Sequence, residues 1–293
     1  MKVRNVQKTG NMFYVYLPSK WSRDKNISLG SRVEMSLDSS GNLILSAIQK
    51  KESGKDIKLD LKEDDMYILS KLIMSCFLNP VKSFEIDFIK TLNQKELLHQ
   101  KKLMSTTFIE VDKHKIYSEP ILSISNTLPL FIIMLKKIKN LTRIMIDSHD
   151  PELIDRYEEE IDRSNVMINK AVIASFMHKR ESKQKLIELH YISLLSNYLE
   201  RMTDHLVKIE KIDKNEKKFL KNIYPILEEL SEIIRMIQEK DTSFNHETVV
   251  SFIKKVKDLK VDEKVFREML IKTSFRHCSE ILMDWAITNL IQN

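Results

Sequence analysis

Residues 183–211 read KQKLIELHYISLLSNYLERMTDHLVKIEK, and this stretch decides the fold class. It contains no glycine and no proline. Its apolar residues recur along one face at helical spacing, namely Ile192, Leu195, Leu199 and Leu206. Glu200 and Asp204 lie at the margin of that face, four residues apart. The stretch therefore predicts a long amphipathic helix with two carboxylates on one side.

The glycine distribution extends this prediction to most of the chain. Among 293 residues only four are glycine, Gly10, Gly30, Gly41 and Gly54, and none occurs after position 54. Tight hairpins and nucleotide-binding loops need the positive φ angles that glycine adopts readily. The region after residue 54 is therefore predicted to be mostly helical, which excludes a Rossmann fold, a P-loop fold and a large β-structure.

The periodic segments after residue 117 predict six helices in two consecutive sets of three. Turn-forming residues separate them, as at His149–Pro151 and Asp241–Ser243. The element order repeats, although the sequence repeat is weak. We expect two tandem three-helix bundles, 117–212 and 213–293, with helices at about 119–148, 152–180, 183–211, 215–240, 246–259 and 263–291.

Residues 51–116 predict a short α/β connector between the N-terminal region and the helices. Residues 51–58 are polar and indicate a linker, and the patterns that follow predict a helix over 62–77, a strand over 83–89, a helix over 93–104 and a strand over 106–111. Glu96 and His99 have the spacing of one half of a carboxylate di-iron site. Because this motif occurs once, a packing role is favoured.

Composition narrows the class of protein further. The two cysteines, Cys76 and Cys278, form no C-x-x-C motif, and the N-terminus lacks an apolar leader. The most apolar segment, 128–135, is far shorter than the roughly 20 residues that span a bilayer. No local arrangement of nucleophile and base appears, since His277 and Cys278 are chain neighbours that point in different directions on a helix. We expect a cytoplasmic protein that is neither an enzyme nor inserted in a membrane.

The first fifty residues carry most of the net charge of +6, with eight lysines and arginines against three acids. The remainder is nearly balanced, with forty against thirty-nine. A strand run at 14–17, a short helix at 19–26 and a hairpin around Gly41 are predicted. A small basic domain indicates an anionic partner.

The order of these motifs resembles the SpoVT/AbrB swapped-hairpin domain. The resemblance covers residues 1–48 through the segments VQKTG (6–10), LPSKW (17–21), LGSRV (29–33) and GNLI (41–44). It implies a β-barrel shared by two interleaved chains, hence a homodimer, and DNA binding by basic residues. The candidate DNA contacts are Arg4, Lys8, Lys20, Arg23 and Lys25. Charge alone equally allows ordinary solvated side chains, and Tyr14 and Trp21 are expected in the core rather than stacked on bases.

Three acidic pairs at a spacing of four stand out in the helices. They are Glu158/Asp162, Glu200/Asp204 and Glu280/Asp284. Each pair places two carboxylates on one side of a helix, and two such helices side by side would repel unless a cation lay between them. Hard cations prefer oxygen ligands, so a divalent or trivalent ion such as iron, zinc or magnesium fits. The alternative is that these are surface acids, which are common in a chain with 42 of them.

Helical-wheel position strengthens the case for all three pairs, since Glu200 and Asp204 lie at the margin of the apolar face of their helix. Glu158 and Asp162 flank an apolar stripe, and Asn165 and Asn169 continue the same polar edge. In the last helix the apolar stripe is predicted to run through Phe266, Met269, Leu270, Thr273, Ile287 and Ile291. Glu280 and Asp284 fall within that stripe, where unpaired carboxylates would be costly to bury.

The segment NYLERMTDH (197–205) resembles the signature helix of the PhoU family, and DPEL (150–153) with Glu158–Asp162 resembles the helix before it. Residues 276–289 resemble a degraded second copy. The resemblance implies two tandem three-helix bundles and a metal cluster held by Glu158, Asp162, Glu200 and Asp204. Glu280 and Asp284 have no obvious companions, since the helix at 246–259 lacks an acidic pair.

An AbrB-like domain joined to a PhoU-like body resembles archaeal regulators of phosphate uptake. The expected function is a dimeric or larger DNA-binding regulator of phosphate homeostasis whose helical body senses a metal or phosphate state or a partner protein. One alternative is an adaptor that regulates a phosphate transporter or signalling partner by protein contact. Another is a ferritin-like di-metal enzyme, which the single Glu96/His99 motif disfavours.

Overall fold

The computed structural model describes residues 4–37, 41–47, 55–62, 65–81, 83–88, 107–112, 115–120, 127–177, 184–209 and 212–292. The chain divides into two compact units, Met1–Ser53 and Gly54–Asn293. The described residues are mainly helical, which confirms the prediction from the glycine distribution.

Two hairpins and one short helix make up the N-terminal unit. Strands β1 (Gln7–Thr9) and β2 (Met12–Tyr14) pair across a turn at Gly10, whose φ of +59° suits glycine. Helix α1 (Ser19–Asp24) follows, and β3 (Val33–Leu37) then pairs with β4 (Leu43–Ala47). The hairpins are separate two-stranded sheets, so the described part of this unit contains no closed barrel.

This unit has no buried side chain among the residues whose exposure is described. Phe13 is 70% exposed, Tyr14 42% and Tyr16 63%. The prediction that Tyr14 and Trp21 are core residues is wrong for a single chain, because Tyr14 is exposed and Trp21 is half-buried. Two short hairpins in one chain offer too little surface to cover these rings.

A four-stranded mixed sheet begins the second unit. Its strands are β5 (Asp56–Leu61), β6 (Ser83–Phe88), β7 (Thr107–Asp112) and β8 (Lys115–Pro120), in the order β5-β6-β8-β7. Strands β5 and β6 are parallel and are connected through helix α2 (Met66–Leu78), whereas the other pairs are antiparallel. Asp65 caps α2, since its side chain accepts from the Tyr67 N–H at 2.7 Å.

The connector prediction was partly wrong. The predicted linker over 51–58 overlaps β5. Apolar and polar residues alternate along this strand, and it pairs with β6, which lies more than 20 residues later in the chain. The predicted helix over 93–104, with Glu96 and His99, lies outside the described residues. Phe84 and Ile86 of β6 pack with Ile73 and Phe77 of α2 in a small core of their own.

Six long helices complete this unit and confirm the predicted order. They are α3 (Leu128–Asp147), α4 (Pro151–Met177), α5 (Leu186–Val207), α6 (Lys214–Glu239), α7 (His246–Asp258) and α8 (Phe266–Gln292). Asp213 caps α6 and Asn245 caps α7, each accepting from two backbone N–H groups. The first helix begins at 128 rather than 119, since β8 occupies 115–120.

One hydrophobic core joins all six helices. It includes Phe131 of α3, Leu199 of α5, Leu227 of α6, Phe252 of α7 and Phe275 of α8. Helix α3 packs on α6 and α5 packs on α8. At the second of these contacts Tyr191 stacks on Trp285, with ring centroids 5.4 Å apart. The two predicted sets of three helices therefore share their core.

The predicted apolar stripe of α8 faces solvent. Phe266 is 70% exposed and Ile291 80%, whereas Phe275 and Leu282 are fully buried. Apolar residues occur on more than one side of this helix, so its wheel does not identify the buried face. Packing against α5 and α7 selects the side with Phe275, Leu282 and Trp285.

Candidate metal centre

The candidate site lies between α4 and α5, which begin at well-defined caps. The Asp150 side chain accepts from the backbone N–H groups of Glu152 at 3.0 Å and Leu153 at 3.2 Å. At the start of α5, the Glu188 side chain accepts from the Lys185 N–H at 3.3 Å. These caps fix the residues at which α4 and α5 begin.

Polar contacts show that α4 and α5 run antiparallel. Near one end, Asn169 accepts from the Ser193 hydroxyl at 2.6 Å and donates to Asn197 at 2.8 Å. Further along, Asp162 lies near Glu200, and Glu158 lies near Asp204. The residue numbers of the facing side chains rise along α5 as they fall along α4, and successive facing side chains are about one or two helical turns apart. The two polar edges thus face each other as a ladder of amides that continues into carboxylates.

Three carboxylates of this ladder converge. Asp162, Glu200 and Asp204 each offer one oxygen, and these oxygens all lie within 4.8 Å of one another. All three side chains are half-buried. The structure therefore brings together both acidic pairs of the first three-helix set, with Glu158 beside Asp204 as the fourth member.

Burial and mutual repulsion disfavour ionisation of the cluster. Burial, then the neighbouring charges of Glu200 and Asp204, raise the pKa of Asp162 to about 7. Burial, then Asp204, raise the pKa of Glu200 to about 7. The pKa values of Glu158 and Asp204 are also raised, with burial again the largest cause. The site therefore favours either proton uptake or a bound cation.

One carboxylate oxygen of Asp162 lacks a hydrogen-bond donor among the described residues. This oxygen, Oδ1, is buried. A buried carboxylate oxygen without a donor is unfavourable, and an oxygen-preferring cation would satisfy it. With the three convergent carboxylates, this oxygen is the feature that best fits a metal ion.

Basic groups surround the cluster and partly offset its charge. Lys208 offsets part of the rise in the pKa of Asp204 and of Glu158, and Arg201 offsets part of the rise in the pKa of Glu200. Lys71 of α2 also lowers the pKa of Glu200, so the connector contributes a cation to the site. Lys71 could not be predicted from the sequence, because nothing local relates position 71 to position 200. The contacts of Ser193 and Asn197 were not predicted either, although their spacing of four matches that of Asn165 and Asn169.

The third acidic pair differs from the other two. Glu280 and Asp284 are exposed, so the prediction that they lie within a buried stripe was wrong. Glu280 contacts His277 at 3.1 Å and Arg276 at 3.8 Å, both on its own helix. Within the described ranges, neither residue joins a group of three potential ligands. Their proposed role as metal ligands has no geometric support in one chain.

All five candidate DNA contacts are exposed in the N-terminal unit. Lys20 and Arg23 lie on α1 and Lys25 follows it, whereas Arg4 precedes β1. Lys8 on β1 lies over the Phe13 ring, 5.4 Å from its centroid. Exposed cations on a small unit are compatible with phosphate contacts, and their DNA binding remains a prediction.

The chain was compared with models of known protein families. The family model described as "PhoU domain" matches residues 140–212, a range that includes α4, α5 and all four clustered carboxylates. This match supports a PhoU-like protein. No curated protein and no solved structure matches the chain. None of the described helices has the length and apolar character needed to cross a bilayer.

Proposed function

We propose that this protein is a non-enzymatic, DNA-binding regulator of phosphate uptake or homeostasis whose helical body responds to a bound metal ion. The observation that carries the proposal is the convergence of Asp162, Glu200 and Asp204 inside the segment that matches the PhoU domain. A half-buried cluster of convergent carboxylate oxygens is the donor set that hard cations prefer, so it suits cation binding.

In this proposal Glu158, Asp162, Glu200 and Asp204 hold the metal. A bound ion would supply positive charge between α4 and α5, and the repulsion between their carboxylates would be removed. The two helices would then be fixed at their acidic edge as firmly as Asn169 fixes them at the amide edge. Iron, zinc and magnesium are the candidate ions, since each accepts carboxylate oxygen.

The metal proposal is tested by equilibrium dialysis of the intact protein against each ion, with the wild type, Asp162→Asn and Glu280→Gln compared. Asp162→Asn should weaken binding at least about tenfold, because it removes a charged ligand at the centre of the cluster. Glu280→Gln is the matched control and should leave the affinity unchanged. Equal affinities in all three proteins would contradict the proposed site.

The N-terminal unit is proposed to bind DNA as a homodimer. Its exposed aromatic and aliphatic residues need a cover, and a second copy of the same unit would supply one. The excess of five positive charges in residues 1–50 would then be doubled on one assembly. Such a surface attracts the phosphate backbone of DNA.

The DNA proposal is tested by genome-wide recovery of DNA bound to the intact protein, followed by affinity measurements on the recovered sites. Replacing Lys20 and Arg23 with alanine should weaken binding and reduce its salt dependence. A control with Lys139 replaced in α3 should not. If no sites are enriched, the adaptor that regulates a transporter or signalling partner by protein contact becomes the better description.

Coupling between the two activities has its own test. If metal controls the regulator, chelation should change its affinity for the recovered DNA. An unchanged affinity would reject the coupling, and would leave the DNA-binding and metal-binding proposals to their separate measurements.

A further inference from the structure

A cavity of about 660 Å³ lies between α7 and α8, and the function proposed above does not use it. Its walls come from the second half of α7, from the turn after it and from three turns of α8. This volume falls in the range of about 300–1,000 Å³ that is usual for small-molecule sites.

One side of the cavity is apolar and continuous with the core. Val256 is only 3% exposed and belongs to the shared core of the helices, and Ile253 and Val261 pack against that core. Met269 is 41% exposed and also lines the cavity. An aliphatic chain placed against this side would be removed from water and would contact apolar side chains.

The charged residues that line the cavity are mainly positive. They are Lys257, Lys272 and Arg276, against one acid, Glu263. Lys272 has a fixed position, since its ammonium donates to the Lys257 carbonyl at 2.9 Å and to the Leu259 carbonyl at 2.6 Å. The Lys272 ammonium is thus fixed at the C-terminal end of α7.

Arg276 is the cation best able to meet a ligand. Its Nε lies 3.8 Å from Glu280, and both side chains are largely exposed. An exposed pair of this kind contributes little stability, so the guanidinium can exchange its partner at small cost. Guanidinium groups bind carboxylate and phosphate oxygens in a bidentate manner.

We propose that this cavity binds a small amphiphilic anion, with an unbranched apolar chain and one phosphate or carboxylate head. The chain lies against Ile253, Val256 and Met269, and the head contacts Arg276 and Lys257. The apolar wall and the basic residues are both needed, so the site discriminates against inorganic phosphate and against neutral amphiphiles. Glu263 opposes the head group and limits its affinity.

Isothermal titration of the intact protein in chelator tests the proposal with three probes. Chelator prevents phosphate from binding through any metal in the carboxylate cluster. Decyl phosphate should bind, decanol should bind at least about tenfold more weakly, and inorganic phosphate should give no signal at the same concentration. Equal binding of decanol and decyl phosphate would overturn the proposal, as would no binding of decyl phosphate.

Three charge variants assign the binding to this cavity. Arg276→Gln should weaken decyl phosphate binding about fivefold to tenfold, and Glu263→Gln should strengthen it. Lys254→Gln is the matched control, since Lys254 is an exposed lysine on α7 that does not line the cavity. All three positions are on the surface, so thermal unfolding should be unchanged. If Arg276→Gln and Lys254→Gln have the same affinity as the wild type, the cavity is not the site.

Discussion

Asp162 lies between α4 and α5 with one carboxylate oxygen buried, and within the described part of the chain that oxygen has no donor. Asn169, two turns away on the same helix, has its side-chain oxygen and nitrogen both bonded across the helix pair. The two residues lie on the same polar edge of α4 but differ in chemistry. An amide can both donate and accept hydrogen bonds, whereas an ionised carboxylate repels the carboxylates beside it. A single ladder therefore contains a self-sufficient part and a part that requires a proton or a cation.

The raised pKa of Asp162 predicts a pH-dependent stability in metal-free protein. Its value of about 7 exceeds the ordinary 3.8, so the folded state holds the proton more tightly than the unfolded state. The stabilisation is full below about pH 4 and is lost as the pH rises through 7. In chelator, Asp162→Asn should therefore gain about 1–3 kcal/mol relative to wild type between pH 4 and pH 8. Denaturant titration at both pH values measures this, and a constant difference would contradict it.

Lys71 predicts a second effect at this scale. Its charge favours the ionised form of Glu200, and the same charge opposes a cation in the cluster. Lys71→Gln should therefore raise the pKa of Glu200 in metal-free protein and strengthen metal binding at pH 8, by about twofold to tenfold. Lys62→Gln serves as the control in the same dialysis measurement, since Lys62 is an exposed lysine that is not among the charges that shift the pKa of Glu200.

At the scale of elements, α8 shows how an ambiguous helix is resolved by its neighbours. Phe266 and Phe275 are the same residue type nine positions apart, yet one is 70% exposed and the other fully buried. Both fit an apolar stripe when the helix is considered alone. The contacts with α5 and α7 determine which stripe becomes core.

These two phenylalanines make a matched pair for mutation. Phe275→Ala should destabilise the protein by about 3–5 kcal/mol, because it removes a buried ring and leaves a cavity. Phe266→Ala should change the free energy of unfolding by no more than about 0.5 kcal/mol, as expected for a surface site. Chemical denaturation of both variants measures the difference. Similar losses would show that α8 is rotated from the orientation described.

For the whole molecule, the division between Ser53 and Gly54 separates two units that differ in how much apolar surface they bury. The unit Gly54–Asn293 has a large apolar core built from six helices and a second one under the sheet. The N-terminal unit exposes apolar residues, which a second copy would cover if the unit dimerises as proposed. The two units should therefore respond to different variables.

Thermal unfolding of the intact protein should separate these responses. Metal should raise the Tm of the helical unit by mass action, with about 2.7 kcal/mol gained at a hundredfold excess over Kd. If the N-terminal unit dimerises as proposed, a higher protein concentration should instead raise its Tm. Calorimetry with and without chelator, at two protein concentrations, measures both. A metal shift that survives in Asp162→Asn would reject the cluster as its origin.

Much of the fold and part of the site could be predicted from local patterns. The spacing of Glu158 from Asp162, and of Glu200 from Asp204, places each pair on one side of its helix whatever surrounds it. Strand β5 was missed because its first residues continue a polar segment and its partner, β6, is distant in the chain. Lys71 was missed for the same reason, since its effect on Glu200 exists only after α2 packs near the bundle.

The sequence by itself determined that the chain after Gly54 is mainly helical, that it contains six successive helices, and that each acidic pair lies on one side of its own helix. These follow from glycine content and residue spacing, which act over a few residues and need no partner. Only the tertiary structure decided that Asp162, Glu200 and Asp204 converge while Glu280 and Asp284 remain exposed. The physical reason is that burial and convergence depend on which helix packs against which, and that choice depends on the total apolar surface removed from water across the whole bundle.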